Sequence, residues 1–90
     1  MKSEEEIKAL LDFDIKHFKD TEEHLLFALD HIEHHIPELR ELNAEKNPHL
    51  YDEIADVYIL AKMILLANDV KEDVVLKRIE RFREKIKQFR

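Results

Sequence analysis

The chain has 90 residues, 40% of them charged, and it contains neither cysteine nor glycine. Such a length accommodates one domain, so we expect residues 1–90 to form a single helical domain. The missing cysteines exclude disulfides, zinc–thiolate sites and thiol nucleophiles, and the missing glycines exclude glycine-rich phosphate loops. Because the sequence is rich in Glu, Lys, Leu and Ile and has no glycine for tight hairpins, the composition predicts an all-α protein.

Charge is distributed unevenly along the chain. Residues 71–90 carry eight basic and four acidic side chains, whereas residues 1–70 carry seven basic and seventeen acidic ones. An acidic body is a poor binder of nucleic acid, and the basic end either pairs with acidic neighbours or suits a site where metal ions and phosphate meet. No apolar stretch reaches the roughly 18–20 residues that span a bilayer, and the first residues lack a signal-peptide pattern. We therefore expect a cytoplasmic protein without nucleic-acid or membrane partners.

Capping signals predict the first two helices. Ser3 followed by three glutamates is typical of a helix N-terminus, and apolar residues then recur at helical spacing to about Lys19. Asp20 or Thr21 caps a second helix with acids in its first turn. Pro37 lies inside that second pattern, and an interior proline removes a hydrogen bond and clashes with the preceding turn. We expect the second helix to be kinked or broken there.

The third and fourth helices follow from the next set of signals. Asn47 as N-cap and Pro48 at the first helical position mark a restart, and the pattern then continues to about Ala67. Asn68 is expected to take the left-handed conformation that glycine usually adopts after a helix. Asp69 is expected to cap the fourth helix. Short connections make neighbouring helices antiparallel, so the sequence predicts an antiparallel four-helix bundle.

Two apolar patterns indicate assembly. Residues 57–67 contain one charged side chain, Lys62, so the third helix is apolar on more than one side. In a chain of this size such a helix is either central to a monomeric core or covered by a partner, and we expect a homodimer or homotetramer. The fourth helix carries a narrow apolar seam with steps of four, three, four and three residues: Val75, Ile79, Phe82, Ile86 and Phe89.

A cluster of acids opens the third helix. Asp52, Glu53 and Asp56 share one helix face, where like charges repel unless a cation lies among them. In an antiparallel hairpin, positions equally far from the turn lie level, and the nearest acids on the second helix are Glu38 and Glu41. Four carboxylates from facing helices make an oxygen site that suits Mg²⁺ or Mn²⁺. The alternative is that these acids simply form solvated helix faces.

Three segments, PELREL, DEIADVYILAKMI and NDVKEDVVLKRIERFREK, resemble the MazG-like all-α nucleoside triphosphate pyrophosphohydrolases. That family carries E-E-x-x-E on one helix and E-x-x-D on the next, and residues 52–57 (DEIADV) are similar to its second block. The resemblance covers roughly residues 21–87 and is best over residues 50–85.

The resemblance implies an enzyme that hydrolyses nucleoside triphosphates to monophosphates and pyrophosphate. It implies Mg²⁺, with Mn²⁺ as an alternative, and a metal-bound water that attacks the α-phosphorus. Glu53 and Asp56 would be the catalytic residues, and Arg81 and Lys77 would contact the phosphates of the substrate. The acids that would hold the metal are Glu38, Glu41, Glu53 and Asp56.

The first acidic block can be aligned in a second way. The segment LLFALDHIEHH is also similar to the family's first helix, and this alignment moves the metal-facing positions to Asp30, Glu33, His34 and His35. The family's asparagine on the last helix falls at Phe82, which cannot bind a polar group. A non-catalytic helical oligomer that keeps the fold is therefore an alternative function.

Histidines give a third function class. His31 and His35 are four residues apart on the second helix, a spacing that can bind Zn²⁺ or Fe, and His34 lies beside them. Helical bundles with inward histidines and carboxylates are a common way to build metal centres. The alternatives are therefore exposed or core-edge histidines, or a His/carboxylate bundle that binds a transition metal.

Overall fold

The computed structural model describes residues 2–89 and confirms the all-α prediction, with no strand among these residues. Helix α1 spans Lys2–Asp14 and ends in a single 3-10 turn, Ile15–His17; α2 spans Thr21–Ala44, α3 spans Leu50–Ala67 and α4 spans Glu72–Phe89. Helix α2 packs along α3, and α1 packs against α3. Within residues 2–89, no helix has both the length and the apolar composition to cross a bilayer.

The start of the chain differs from its predicted form. Helix α1 begins at Lys2, so Ser3 lies inside the helix and is not its N-cap, although Glu4 and Glu5 do occupy the first turn. The helix also ends at Asp14, earlier than predicted, because the chain tightens into a 3-10 turn that is closed by the N–H of Phe18 donating to the carbonyl of Ile15.

Helix α2 follows the sequence prediction closely. The carboxylate of Asp20 caps it by accepting the backbone N–H of Glu23 at 2.8 Å. The helix runs from Thr21 to Ala44 through Pro37 as one element, so it is not broken at the proline. A bend at Pro37 stays a prediction.

The C-terminal ends of α2 and α3 have the same type of turn, and neither turn contains a glycine. Lys46 and Asp69 have positive φ values of 55° and 54°. In each case the next residue donates its N–H to a carbonyl five residues back, Asn47 to Leu42 at 3.0 Å and Val70 to Leu65 at 2.9 Å. This pattern is the Schellman motif, which places the left-handed residue just after the C-cap.

The predicted capping roles around α3 and α4 are therefore wrong in detail. Asn68 is the C-cap of α3 with φ −104°, so Asp69, and not Asn68, is left-handed. Asp69 does not cap α4, because it belongs to the end of α3 and α4 begins at Glu72. At the start of α3, the side chain of Asn47 accepts the N–H of His49 at 3.0 Å within a turn that precedes the helix, which begins at Leu50 and not at Pro48.

The core is small and lies between α1 and α3. Its buried members are Ile7, Leu11 and Met63, and the partly buried side chains packed against them are Ile15, Ile59, Leu66 and Ala67. Two further residues of α2, His24 and Ala28, are buried. Every residue from 71 to 89 is exposed, so α4 adds nothing to this core.

Candidate metal centre

Packing of α2 along α3 determines which side chains meet. Nε2 of His35 on α2 lies 3.0 Å from Oε2 of Glu53 on α3. The sequence predicted position 39 opposite Glu53, so the observed register differs by four residues, or about one helical turn. The helix ends do not account for this shift: α2 ends at Ala44 and α3 begins at Leu50, which centres the connection near residue 47, whereas the contact of His35 with Glu53 corresponds to a centre near residue 44. The shift brings a histidine to the place where an acid was expected.

Three side chains from the two helices form a compact group of potential ligands. In addition to its contact with Glu53, Nε2 of His35 lies 3.9 Å from Oδ2 of Asp56. One donor atom from each of the three residues lies within 4.8 Å of the others. The side chains of His35 and Glu53 are 17% and 18% exposed, whereas Asp56 is 54% exposed and forms the open edge of the group.

A backbone hydrogen bond orients the imidazole of His35. Its Nδ1 lies 2.7 Å from the carbonyl of His31, and because a carbonyl only accepts, Nδ1 carries the hydrogen. Nε2 is then left to face the two carboxylates as a proton donor or as a metal ligand. Histidines that bind metals are commonly held in this way through their other nitrogen. His34 has the same arrangement with the carbonyl of Asp30, at 2.7 Å.

His49 extends the group at the start of α3. Its Nε2 lies 3.2 Å from Oε1 of Glu53, and its Nδ1 lies 3.0 Å from Oδ2 of Asp52. Acids and imidazoles therefore alternate in a row, and each oxygen of Glu53 contacts a different histidine: Asp52, His49, Glu53, His35 and Asp56. This row fixes the orientation of the Glu53 carboxylate.

The row changes the proton affinity of both imidazoles. The hydrogen bond to the His31 carbonyl raises the pKa of His35; partial burial opposes this effect, and the negative charges of Glu53, Glu38 and Asp56 reinforce it. The hydrogen bond to Asp52 raises the pKa of His49, with weaker opposition from desolvation and reinforcement by Asp52 and Glu53. Both histidines hold a proton more tightly than free imidazole, so a metal ion at this place competes with that proton.

The donor set fits a divalent ion. Two donors on one first-row ion lie at most about 4.3 Å apart, because metal–ligand distances are about 2.0–2.2 Å. The separations of 3.0 and 3.9 Å around His35 meet this limit. One imidazole and two carboxylates leave positions for water or substrate, as in catalytic sites.

The other predicted metal ligands lie at different places on α2. Glu38 and Glu41 are exposed on α2 and lie outside the compact group, although Glu38 is close enough to influence the pKa of His35. Of the alternative first block, His35 is in the group. Asp30 and His34 instead line a neighbouring cavity of about 480 Å³ with Glu38, and Glu33 is exposed. Metal binding by these residues stays a prediction.

The predicted phosphate contacts lie on α4. Lys77 is 3.9 Å from Asp73 of the same helix, and Arg81 is exposed. Among the ion pairs of residues 2–89, none joins either side chain to the candidate metal centre. Within one chain, therefore, the structure does not bring these cations to the acids.

A cavity of about 400 Å³ adjoins the candidate centre between α1, α2 and α3. His35 and Asp56 form one part of its lining, and apolar side chains together with Asp14 and His31 form the rest: Leu10, Asp14, Phe27, His31, Ile59, Leu60 and Met63. Asp14 itself lies 3.4 Å from Nε2 of buried His24. A molecule bound to a metal at His35 has room for an apolar or aromatic portion in this cavity.

Sequence reasoning missed two of these features. His49 lies four residues before Glu53, a helical i, i+4 spacing that was available in the sequence as a signal. The pair of Asp14 and His24 joins α1 to α2 across the intervening turn, and no local spacing indicates it.

Comparisons with protein-family models, with curated proteins and with solved structures give no match to this chain.

Proposed function

We propose that the protein binds a divalent metal ion at His35, Glu53 and Asp56 and hydrolyses nucleoside triphosphates to monophosphates and pyrophosphate. The convergence of these three side chains from two helices is the observation that carries the proposal. The reaction itself comes from the resemblance of residues 52–57 to the second acidic block of the MazG-like pyrophosphohydrolases. A bound ion would neutralise phosphate charge and lower the pKa of a coordinated water.

The donor set favours Mn²⁺ over Mg²⁺ in this proposal. Mg²⁺ prefers oxygen ligands in near-octahedral geometry, whereas an imidazole nitrogen suits first-row transition ions better. Mn²⁺ combines acceptance of nitrogen with affinity for carboxylates and phosphates. Glu53 and His35 would hold the ion from the inner side, and Asp56 would close the exposed side. His49 would act as a positioning residue for Glu53.

The substrate would extend from the metal in two directions. The cavity beside His35 and Asp56 accepts the less polar part of the molecule, and Phe27 in its lining offers an aromatic surface. Arg81 and Lys77 are proposed to bind phosphate as cations, which requires α4 to approach the centre during assembly. The antiparallel four-helix bundle, a bend at Pro37 and a homodimer or homotetramer belong to the same proposal.

The test is a panel of ribo- and deoxyribonucleoside triphosphates with Mn²⁺ or Mg²⁺, with pyrophosphate as the readout. We expect turnover that is higher with Mn²⁺ and is lost in Glu53→Gln, which keeps the shape of the side chain. Glu45→Gln, an exposed acid at the end of α2, is the matched control and should keep full activity. Glu38→Gln and Glu41→Gln test the all-carboxylate site, because they reduce turnover only if those acids bind the metal.

A second candidate is a transition-metal protein without nucleotide turnover. The imidazole in the donor set favours it, because Zn²⁺ and Fe are commonly bound by histidine together with carboxylates. Absence of pyrophosphate with every nucleotide and both metals would rule out the hydrolase. Metal retained after purification and lost in His35→Ala would then support the second candidate, and no bound metal would leave the non-catalytic helical oligomer.

A further inference from the structure

Helix α4 carries an apolar seam that the rest of residues 2–89 leaves exposed, and its first residue, Val75, lines an open cavity with Tyr58 of α3. Its members, the α4 seam, are all exposed: Val75, Ile79, Phe82, Ile86 and Phe89. Steps of four and three residues place the five side chains on one stripe of the helix. Phe82, in the middle of the stripe, is 60% exposed. A seam of this regularity is typical of a helix that packs against other helices.

A second apolar surface lies on the hairpin of α2 and α3. On α3, Glu53 points to α2 and Met63 packs against α1, and helical periodicity leaves a third side open. On α2, the side that carries Phe27 shares a cavity with α1, and the opposite flank is open. The two open flanks face the same way in an antiparallel pair. Their large apolar residues, here called the uncovered face, are exposed: Leu29, Ile36, Ile54 and Tyr58.

The total surface is too large for a folded monomer. The chain exposes 7568 Å², whereas a folded monomer of this mass exposes about 5,600 Å². The radius of gyration is 15.3 Å, compared with about 12 Å for a compact domain of 90 residues. The excess of about 2,000 Å² per chain exceeds the roughly 800 Å² that each partner buries in a standard interface and lies within the range of obligate dimers.

Charge identifies the occupant of the uncovered face. Residues 71–90 carry four more basic than acidic side chains, and residues 1–70 carry ten more acidic than basic ones. Two α4 helices packed on each other would bring like charges together, whereas α4 on the acidic body brings opposite charges together. On α2, the acids Glu22 and Glu33 lie on the same flank as Leu29 and Ile36, at helical spacing.

We propose that two copies of this chain exchange their α4 helices, so that the α4 seam of each lies on the uncovered face of the other. The contact is reciprocal, as in a two-fold symmetric dimer. It buries both apolar surfaces and pairs the basic helix with the acidic hairpin. The exchange specifies the homodimer of the proposed function: metal binding at His35, Glu53 and Asp56 does not depend on it, whereas the phosphate contacts proposed for Arg81 and Lys77 on α4 do.

Two variants and their mixture test the exchange by sedimentation analysis of the full chain. Phe82→Glu disrupts the seam and leaves the uncovered face intact, whereas Leu29→Glu does the reverse. We expect the wild type to be a dimer, each variant alone to dissociate at least tenfold more readily, and an equimolar mixture to form a heterodimer with one intact contact. Gln88→Glu, with the same new side chain away from the seam, should stay dimeric.

Two results of the sedimentation analysis would overturn the proposal. A compact wild-type monomer would mean that α4 folds back on its own hairpin. A Leu29→Glu variant that dimerises like the wild type would mean that α4 helices pair with each other.

If circular dichroism shows that a variant has lost its helices, a cross-linking experiment tests the exchange instead. Because the chain has no cysteine, Ala61→Cys on the hairpin and Lys85→Cys beside the seam, in separate copies, should give a mixed cross-link with a short bismaleimide. Only Lys85→Cys pairs, or none, would contradict the exchange.

Discussion

His35 of α2 and Glu53 of α3 contact each other, with Nε2 of the imidazole 3.0 Å from Oε2 of the carboxylate. The other imidazole nitrogen is held by the His31 carbonyl, and the other carboxylate oxygen is held by His49. Each of the two side chains is therefore oriented by a second polar contact, on the atom that faces away from the other. This arrangement explains why the candidate centre is a defined group of atoms and not a loose acidic surface.

Metal affinity should depend most on the two residues of that contact. We expect His35→Ala and Glu53→Gln each to weaken Mn²⁺ binding by more than the 10–100-fold typical of residues that only orient a ligand. Calorimetric titration of the metal-free protein measures this effect. Equal affinities in the wild type and both variants would show that the metal binds elsewhere, for instance at Glu38 and Glu41.

His49 should have a smaller effect on the same titration. It contacts Glu53 through Nε2 and Asp52 through Nδ1, and it is 57% exposed. His49→Ala should therefore weaken Mn²⁺ binding by about 10–100-fold, the range found when an orienting group is removed. His34→Ala is the control, because His34 is an exposed imidazole like His49 but contacts the backbone carbonyl of Asp30 and lies outside the compact group. An effect of His34→Ala as large as that of His49→Ala would contradict this assignment.

The stability of the metal-free protein should fall as the pH rises through neutrality. Folding raises the pKa of His35 above its ordinary value of 6.5, so the folded state binds more protons than the unfolded state in that range. The stabilisation of the folded state by His35 is fully present below the ordinary pKa and is lost as the pH rises above the raised pKa. Urea unfolding with a chelator at about pH 6 and about pH 8 measures the loss. The slope should be shallower in His35→Gln, and an unchanged slope would mean that neither the hydrogen bond to the His31 carbonyl nor the nearby carboxylates raise the pKa of His35.

The helices and the acidic block were predictable from sequence because both depend on local spacing. The cap at Asp20 and the position of Glu53 and Asp56 on one helix need only neighbouring residues. The residue opposite Glu53 depends on how α2 and α3 are aligned along each other, and a shift of one helical turn brought His35 to the place where an acid was expected. Local pattern does not determine that register.

The sequence also does not predict which surface α4 packs against. Its seam was predicted correctly as a stripe, but the pattern does not say which surface covers it, and in the structure residues 71–89 are all exposed. The left-handed turns gave a related difficulty. Asn68 has the better propensity for that conformation, yet the hydrogen bond from Val70 to Leu65 requires it at Asp69.

Glycine at Lys46 should stabilise the protein. Lys46 adopts φ 55°, where its Cβ crowds the backbone at a cost of about 1–2 kcal/mol that glycine avoids. Since glycine also adds freedom to the unfolded chain, we expect Lys46→Gly to raise the free energy of unfolding by a net of about 0.5–1 kcal/mol. Lys46→Ala is the control and should give no gain, because alanine keeps the Cβ. Urea unfolding at fixed protein concentration compares the three, and a gain from alanine equal to that from glycine would rule out backbone strain.

The pair of Asp14 and His24 provides a test of buried polarity at the junction of α1 and α2. His24 is 1% exposed, its Nε2 lies 3.4 Å from Oδ2 of Asp14, and its Nδ1 has no hydrogen-bond partner. Asp14→Ala leaves the imidazole without this partner as well, which should cost about 1–3 kcal/mol of unfolding free energy. The double variant Asp14→Ala with His24→Leu removes both polar groups and fills the site, so it should recover most of the loss. A double variant as unstable as Asp14→Ala alone would show that the imidazole contributes by its shape in the packing and not by its contact with the carboxylate.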